Sequence, residues 1–143
     1  MTAGRTGGLS VSTVKIVVAA LLAALVVVAS AAASPPPKQI LGKWTRTVTA
    51  ADVHRAGATR VVAGLTWTLL IAQRGSSASH GTIHMRGKVV PTNATQVNIE
   101  LGQQKPNLYD WRRVGKTLIL HARVEPNADR AAVLVGTWVK RGG

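Results

Sequence analysis

From about residue 40 onward, apolar and polar residues alternate with a period of two, β-branched residues are frequent, and turn-forming residues recur at short intervals. Side chains on a strand point alternately to opposite faces, so this pattern buries one face of each segment and wets the other. It predicts strands at about 42–49, 64–72, 82–90, 95–101, 108–113, 116–124 and 134–141. Leu65, Trp67, Leu69 and Ile71 share one face of the second; Val97, Ile99 and Leu101 alternate with Gln96, Asn98 and Glu100 in the fourth. In the sixth, Leu118, Leu120, Ala122 and Val124 lie opposite Ile119, His121 and Arg123. Short strands joined by short turns make an antiparallel meander. The chain has no Cys to staple an open sheet, so its stability must come from burial and from a closed, well-paired one. The expected fold is therefore all-β, mainly antiparallel, a meander or a barrel with one or two short helices.

The helices are marked by their ends. Thr49 to Gly57 opens on a Thr that can cap, carries Asp52 in its first turn and closes on Gly, while Asn127 to Ala132 has the makings of a shorter turn. Gly115, between Arg113 and Lys116, marks a tight hairpin, and Arg74 to Ser79 is low in complexity and expected to be a mobile loop.

The first 33 residues read as an address. A basic region (Arg5, Lys15), an apolar run from Ile16 to Val28, and small residues with A-x-A spacing through Ala33 describe a secretory signal peptide, expected to be helical. An uncleaved anchor is the alternative, since Ile16 to Ala33 carries no charge and is just long enough to cross a bilayer. Residues 34–39, with Pro35-Pro36-Pro37, are expected to form a stiff linker, and residues 40–143 the folded domain. The expected location is outside the cell or in its envelope.

The net charge of +13 arises from 18 Lys and Arg against 5 Asp and Glu, and only Arg5 and Lys15 of these cations precede residue 34. An exported domain so charged favours envelope polymers, lipid headgroups or acidic ligands; nucleic acid fits poorly with export. Membrane contact is expected only through an uncleaved leader.

Catalytic and metal motifs find little support. Gly115-Lys116-Thr117 ends like a phosphate-binding loop, but the pattern's earlier Gly falls on Asp110. Gly81, Thr82 and Ile83 argue for a strand, on which His80 and His84 are separated by roughly 13 Å and cannot meet at one metal. There is no G-x-S-x-G elbow and no carboxylate pair at a spacing that implies a shared site. The expectation is no enzyme, no metal and no cofactor. Asn93-Ala94-Thr95 matches a glycosylation sequon that a turn explains equally well.

Four Trp and one Tyr are the whole aromatic content. Trp44 and Trp138 are expected in the core, whereas Trp67, Tyr109 and Trp111 are balanced between core and cavity lining. Gly42-Lys43-Trp44 resembles the G-x-W signature of lipocalin-like barrels. The run from Tyr109-Asp110-Trp111 through Thr117 to Leu120, then Ala128 to Val133 and Gly136-Thr137-Trp138, resembles a group of uncharacterised secreted bacterial lipocalin-like proteins. The resemblance implies a small up-and-down barrel of about seven or eight strands, closed at one end by Trp44, with Arg130 or Arg141 across its ring. The domain is shorter than larger lipocalins, which implies a shallow cavity.

Barrels of about eight strands leave room for side chains or one small molecule. The expected function is thus non-catalytic binding of a small amphipathic or acidic molecule, with Trp67, Met85, Tyr109 and Trp111 lining the interior and Arg46 available for an acidic headgroup. The alternative is a basic envelope protein binding anionic polymer through Arg86, Lys88, Arg112 and Arg123, around a filled scaffold.

Overall fold

The computed structural model describes residues 34–102 and 107–142; the leader expected over residues 1–33, with its helix, lies outside the described residues. The described chain forms eight strands, β1 (Gly42–Thr47), β2 (Thr66–Ile71), β3 (Ser76–His80), β4 (Ile83–Asn93), β5 (Gln96–Leu101), β6 (Leu108–Val114), β7 (Thr117–Val124) and β8 (Gly136–Lys140). Two short helices, α1 (Ala50–Ala56) and α2 (Ala128–Leu134), interrupt the meander after β1 and before β8. Each strand pairs antiparallel with the next, and β1 pairs with β8 through Trp44 opposite Lys140 and Thr45 opposite Val139, so the sheet closes into a barrel. Closure leaves no open edge to template pairing with other chains.

Alternation along the strands fills the interior. Leu69 and Ile71 from β2, Val97, Ile99 and Leu101 from β5, and Leu118 and Leu120 from β7 are buried there with Trp44, Tyr109 and Trp138. Ala122 and Val124, expected on the inward face of β7, are exposed. The register slips just beyond the Tyr109–Ala122 pair, where Leu108 faces Val124, a bulge at the end of the strand pair.

The helix ends read correctly from their residues. Thr49 and Asp52 make a reciprocal capping box on α1, and Gly57 ends it in the left-handed conformation at φ +67°. Asn127 caps α2, its side chain accepting the Arg130 N–H at 2.9 Å.

Three features depart from expectation. β3 occupies most of the segment expected to be a mobile loop. His80 closes β3 and His84 lies on β4 opposite Ser79, so a hairpin turn separates them and they do not share a strand. The proline segment is not wholly free: Pro36 is buried, and a 3-10 turn at Lys38–Ile40 follows. Ile40 is buried, and its carbonyl accepts the Trp44 indole N–H at 2.8 Å.

The barrel has two unlike ends. At one lie α1, the β3–β4 turn, the β5–β6 connection and α2. At the other lie the 3-10 turn, the β2–β3, β4–β5 and β6–β7 hairpins and the C-terminal residues.

Candidate functional site

The helix-bearing end holds a recess of about 370 Å³. Its apolar surface comes from strand residues placed inward by alternation, Trp67 on β2, Met85 on β4 and Leu101 on β5, with Val133 from α2 and Val61 and Ile83 at the rim. The polar wall is built by Arg60, Asn127, Asp129 and Arg130. The loop after α1 is held in place by the Asp129 carboxylate, which accepts the Thr59 and Arg60 amide N–H groups at 2.9 and 3.0 Å. This contact ties the loop to α2 and shapes the mouth.

Arg130 anchors the wall. Its Nε and Nη2 donate to the two Glu125 carboxylate oxygens at 2.8 and 2.9 Å, and its Nη1 donates to the Leu101 carbonyl at 3.0 Å. Glu125 also accepts from the Tyr109 hydroxyl, from Asn107 at 3.3 Å and from the Asn127 backbone N–H at 2.9 Å. Burial opposes ionisation of Glu125, but the hydrogen bonds from Arg130, Tyr109 and Asn127 outweigh it and hold the carboxyl below its usual range. Tyr109 shifts the other way: burial, aided by the Glu125 charge, raises its hydroxyl and keeps it protonated. Every nitrogen of the Arg130 guanidinium thus already has a partner within the protein.

Trp67 is different. The ring is buried and packs at 5.9 Å, tilted, against His80, whose Nδ1 sits 2.8 Å from the Thr66 carbonyl. The Trp67 Nε1 is buried with no hydrogen-bond partner. The Trp111 Nε1 is in the same state, and a buried donor left unpaired costs about 1–3 kcal/mol.

The remaining expected site residues fall elsewhere. Tyr109 is fully buried under the wall, and Trp111 packs part-buried against the core; neither lines the recess. Arg46 does project inward from β1, but it is not free. Its Nη2 lies 2.6 Å from Asp52 Oδ2, and its Nη1 donates to the Val133 carbonyl at 3.1 Å and to the Val135 carbonyl. Burial lowers the Arg46 pKa and Asp52 opposes that shift. Burial likewise works against the Asp52 charge, but hydrogen bonds from Thr49 and the Arg46 charge prevail and lower its pKa. The first-turn carboxylate of the α1 capping box, Asp52, is therefore what satisfies Arg46, a pairing that periodicity could not show because it needs the helix folded back over the barrel end.

Trp44 and Trp138 are fully buried as expected, but the cations across them are not the expected ones. Arg113 and Lys140 lie 5.8 and 5.7 Å from the Trp44 ring centre, and Arg46 lies 5.8 Å from that of Trp138. Arg130 is at the opposite end in the recess wall, and Arg141 is exposed, its backbone N–H donating to the Lys43 carbonyl at 2.9 Å. The β6–β7 hairpin and the β1–β8 seam bring Arg113 and Lys140 to Trp44, a consequence of barrel closure. Sequence reasoning missed Arg60, Val61, Leu101, Asn127, Asp129 and Val133 as lining residues. For Leu101 and Asn127 a signal existed, an inward strand position and a helix cap, whereas Arg60 and Val61 lie in a connection without periodicity.

Comparison with known proteins finds no matching family model, no matching curated protein and no matching solved structure.

Proposed function

We propose that this chain is an exported, non-catalytic binding protein that takes a small amphipathic molecule into the recess at the helix-bearing end of its barrel. The observation that carries the reading is a recess of about 370 Å³ lined by apolar strand and helix side chains together with the cationic Arg60. Ligand sites of about 300–1,000 Å³ combine mostly apolar walls with a few placed polar groups. Trp67, Met85, Leu101 and Val133 supply the apolar contact, and Arg60 supplies a charge for an acidic group. Arg46 drops out of the ligand set because Asp52 occupies it. The likeness to secreted lipocalin-like proteins points the same way, toward a ligand held in the barrel mouth, and the apolar leader supports export.

Titration with medium-chain fatty acids, their neutral amides and small aromatic acids, followed by calorimetry and tryptophan fluorescence, tests this. Saturable binding is expected, with a change in Trp67 fluorescence, and Val133→Trp, which fills the recess, should abolish it. Arg60→Ala should weaken the acids and spare the amides. Failure of every compound to bind below about millimolar would sink the proposal.

The polymer-binding alternative draws less support from the barrel side wall. Lys88 faces Glu100 at 3.8 Å and Arg123 pairs with Asp110, so of the four outward cations only Arg86 and Arg112 lack an acidic partner.

A further inference from the structure

Among the described residues, most of the cations without acidic partners gather at the hairpin end. The five Asp and Glu side chains are all engaged elsewhere: Asp52 by Arg46 and Arg55, Glu100 by Lys88, Asp110 by Arg123, Glu125 by Arg130, and Asp129 by the Thr59 and Arg60 amides. The hairpin end holds Lys38 in the 3-10 turn, Lys43 at the start of β1, and Arg113 and Lys116 flanking the β6–β7 turn. Lys140 and Arg141 end the described β8 edge, and Arg74 sits in the β2–β3 turn.

Backbone pairing and side-chain contacts draw most of this set together. The Lys140 N–H donates to the Lys116 carbonyl at 2.8 Å, the Arg141 N–H donates to the Lys43 carbonyl, and the Arg113 guanidinium reaches the Gln39 carbonyl at 2.9 Å beside Lys38. Within the same cluster two valines face water: Val114, at the tip of β6 between Arg113 and the turn, is 57% exposed, and Val139, beside Lys140, is 51% exposed.

We propose that the hairpin end is a docking surface for an anionic lipid bilayer. Cations near an acidic membrane surface add attraction roughly one by one, and exposed apolar side chains among them enter the headgroup boundary. A soluble polymer would use the charges and leave Val114 and Val139 in water; a bilayer uses both. The chain also enters the barrel at this end, through Pro35-Pro36-Pro37 and the Lys38–Ile40 turn, and the sequence just before it, Ile16 to Ala33, is uncharged. Docking here turns the recess at the opposite end away from the membrane. Membrane contact then involves the barrel itself, beyond any contact the leader makes.

The chain has no Cys, so Val114→Cys or Thr82→Cys in the full chain carries an environment-sensitive fluorophore at one chosen end. On vesicles of phosphatidylcholine mixed with phosphatidylglycerol, the probe at position 114 should shift to an apolar environment while the probe at position 82, in the β3–β4 turn, should not. Pure phosphatidylcholine should leave both unchanged. Raising salt from about 0.1 M to about 1 M cuts the screening length from about 10 Å to about 3 Å and should reverse the shift. Combining Lys38→Gln, Lys43→Gln, Lys116→Gln and Arg141→Gln, which leaves Arg113 and Lys140 over Trp44, should weaken the response at least about tenfold. The salt series on the unsubstituted charges tests the idea even if that variant folds poorly. An equal response at both ends, a response as large on neutral vesicles, or a response only to soluble polyphosphate overturns the proposal.

Discussion

Arg46 shows how one buried charge organises a barrel end. Its guanidinium is held by Asp52 and two carbonyls and lies over the Trp138 ring. Removing one partner of a buried pair leaves an uncompensated charge, so Asp52→Asn should destabilise the protein by about 3–5 kcal/mol, read from urea unfolding. Replacing Arg46 and Asp52 together with Met and Leu should cost much less, because no charge is then stranded. Gly136 belongs to the same arrangement: at φ +131°, a Cβ would sit 2.8 Å from the Arg46 guanidinium. Trp44→Ala should cost about 3–5 kcal/mol through lost burial and the cavity left behind. The inward placement of these residues was legible from alternation, whereas their partners were not, since Asp52, Arg113 and Lys140 arrive through helix return and barrel closure.

Among the elements, β3 is the instructive miss. Ser76-Ser77-Ala78-Ser79-His80 has weak strand propensity and no large apolar residue, yet it pairs along its length with β2 and β4. Neighbouring strands impose its conformation, and closure requires a strand there. Across from it, Gly87 on β4 lies so close to β5 that an added Cβ would be 1.5 Å from the Glu100 carbonyl oxygen. Gly87→Ala should therefore open the β4–β5 pairing, seen as faster amide exchange at Val89 and Ile99. Gly75→Ala, whose Cβ would meet only the Gly87 oxygen at 3.9 Å, should exchange almost as the parent does. The helices were legible because capping is local: Thr49, Asp52 and Gly57 signal one turn apart what they then do.

For the whole molecule, stability should depend on pH at both limits. Asp52 and Glu125 are lowered in the fold from ordinary values of 3.8 and 4.5. Their contributions are present above those values and are lost as the pH falls below about 4.5 and on through the lower folded values. Tyr109 is raised from 10.0, so its contribution holds below pH 10 and declines above it, as the unfolded chain ionises first. Chemical denaturation across pH should show both arms, with Tyr109→Phe removing most of the alkaline one. An acid arm unchanged in Glu125→Gln would place that loss on the other lowered carboxyls, Asp52 and Asp110.

The sequence by itself determined the class of fold, the inward set of core residues, the two capped helices and the two buried tryptophans, because alternation and capping act within a few residues of the chain. Only the tertiary structure decided the eighth strand, the partners of Arg46 and Trp44, and the position of the recess. It also decided the division of charge, with the acidic side chains engaged away from a hairpin end that keeps its cations. Those features join residues distant in sequence, and their geometry exists only once the sheet has closed on itself.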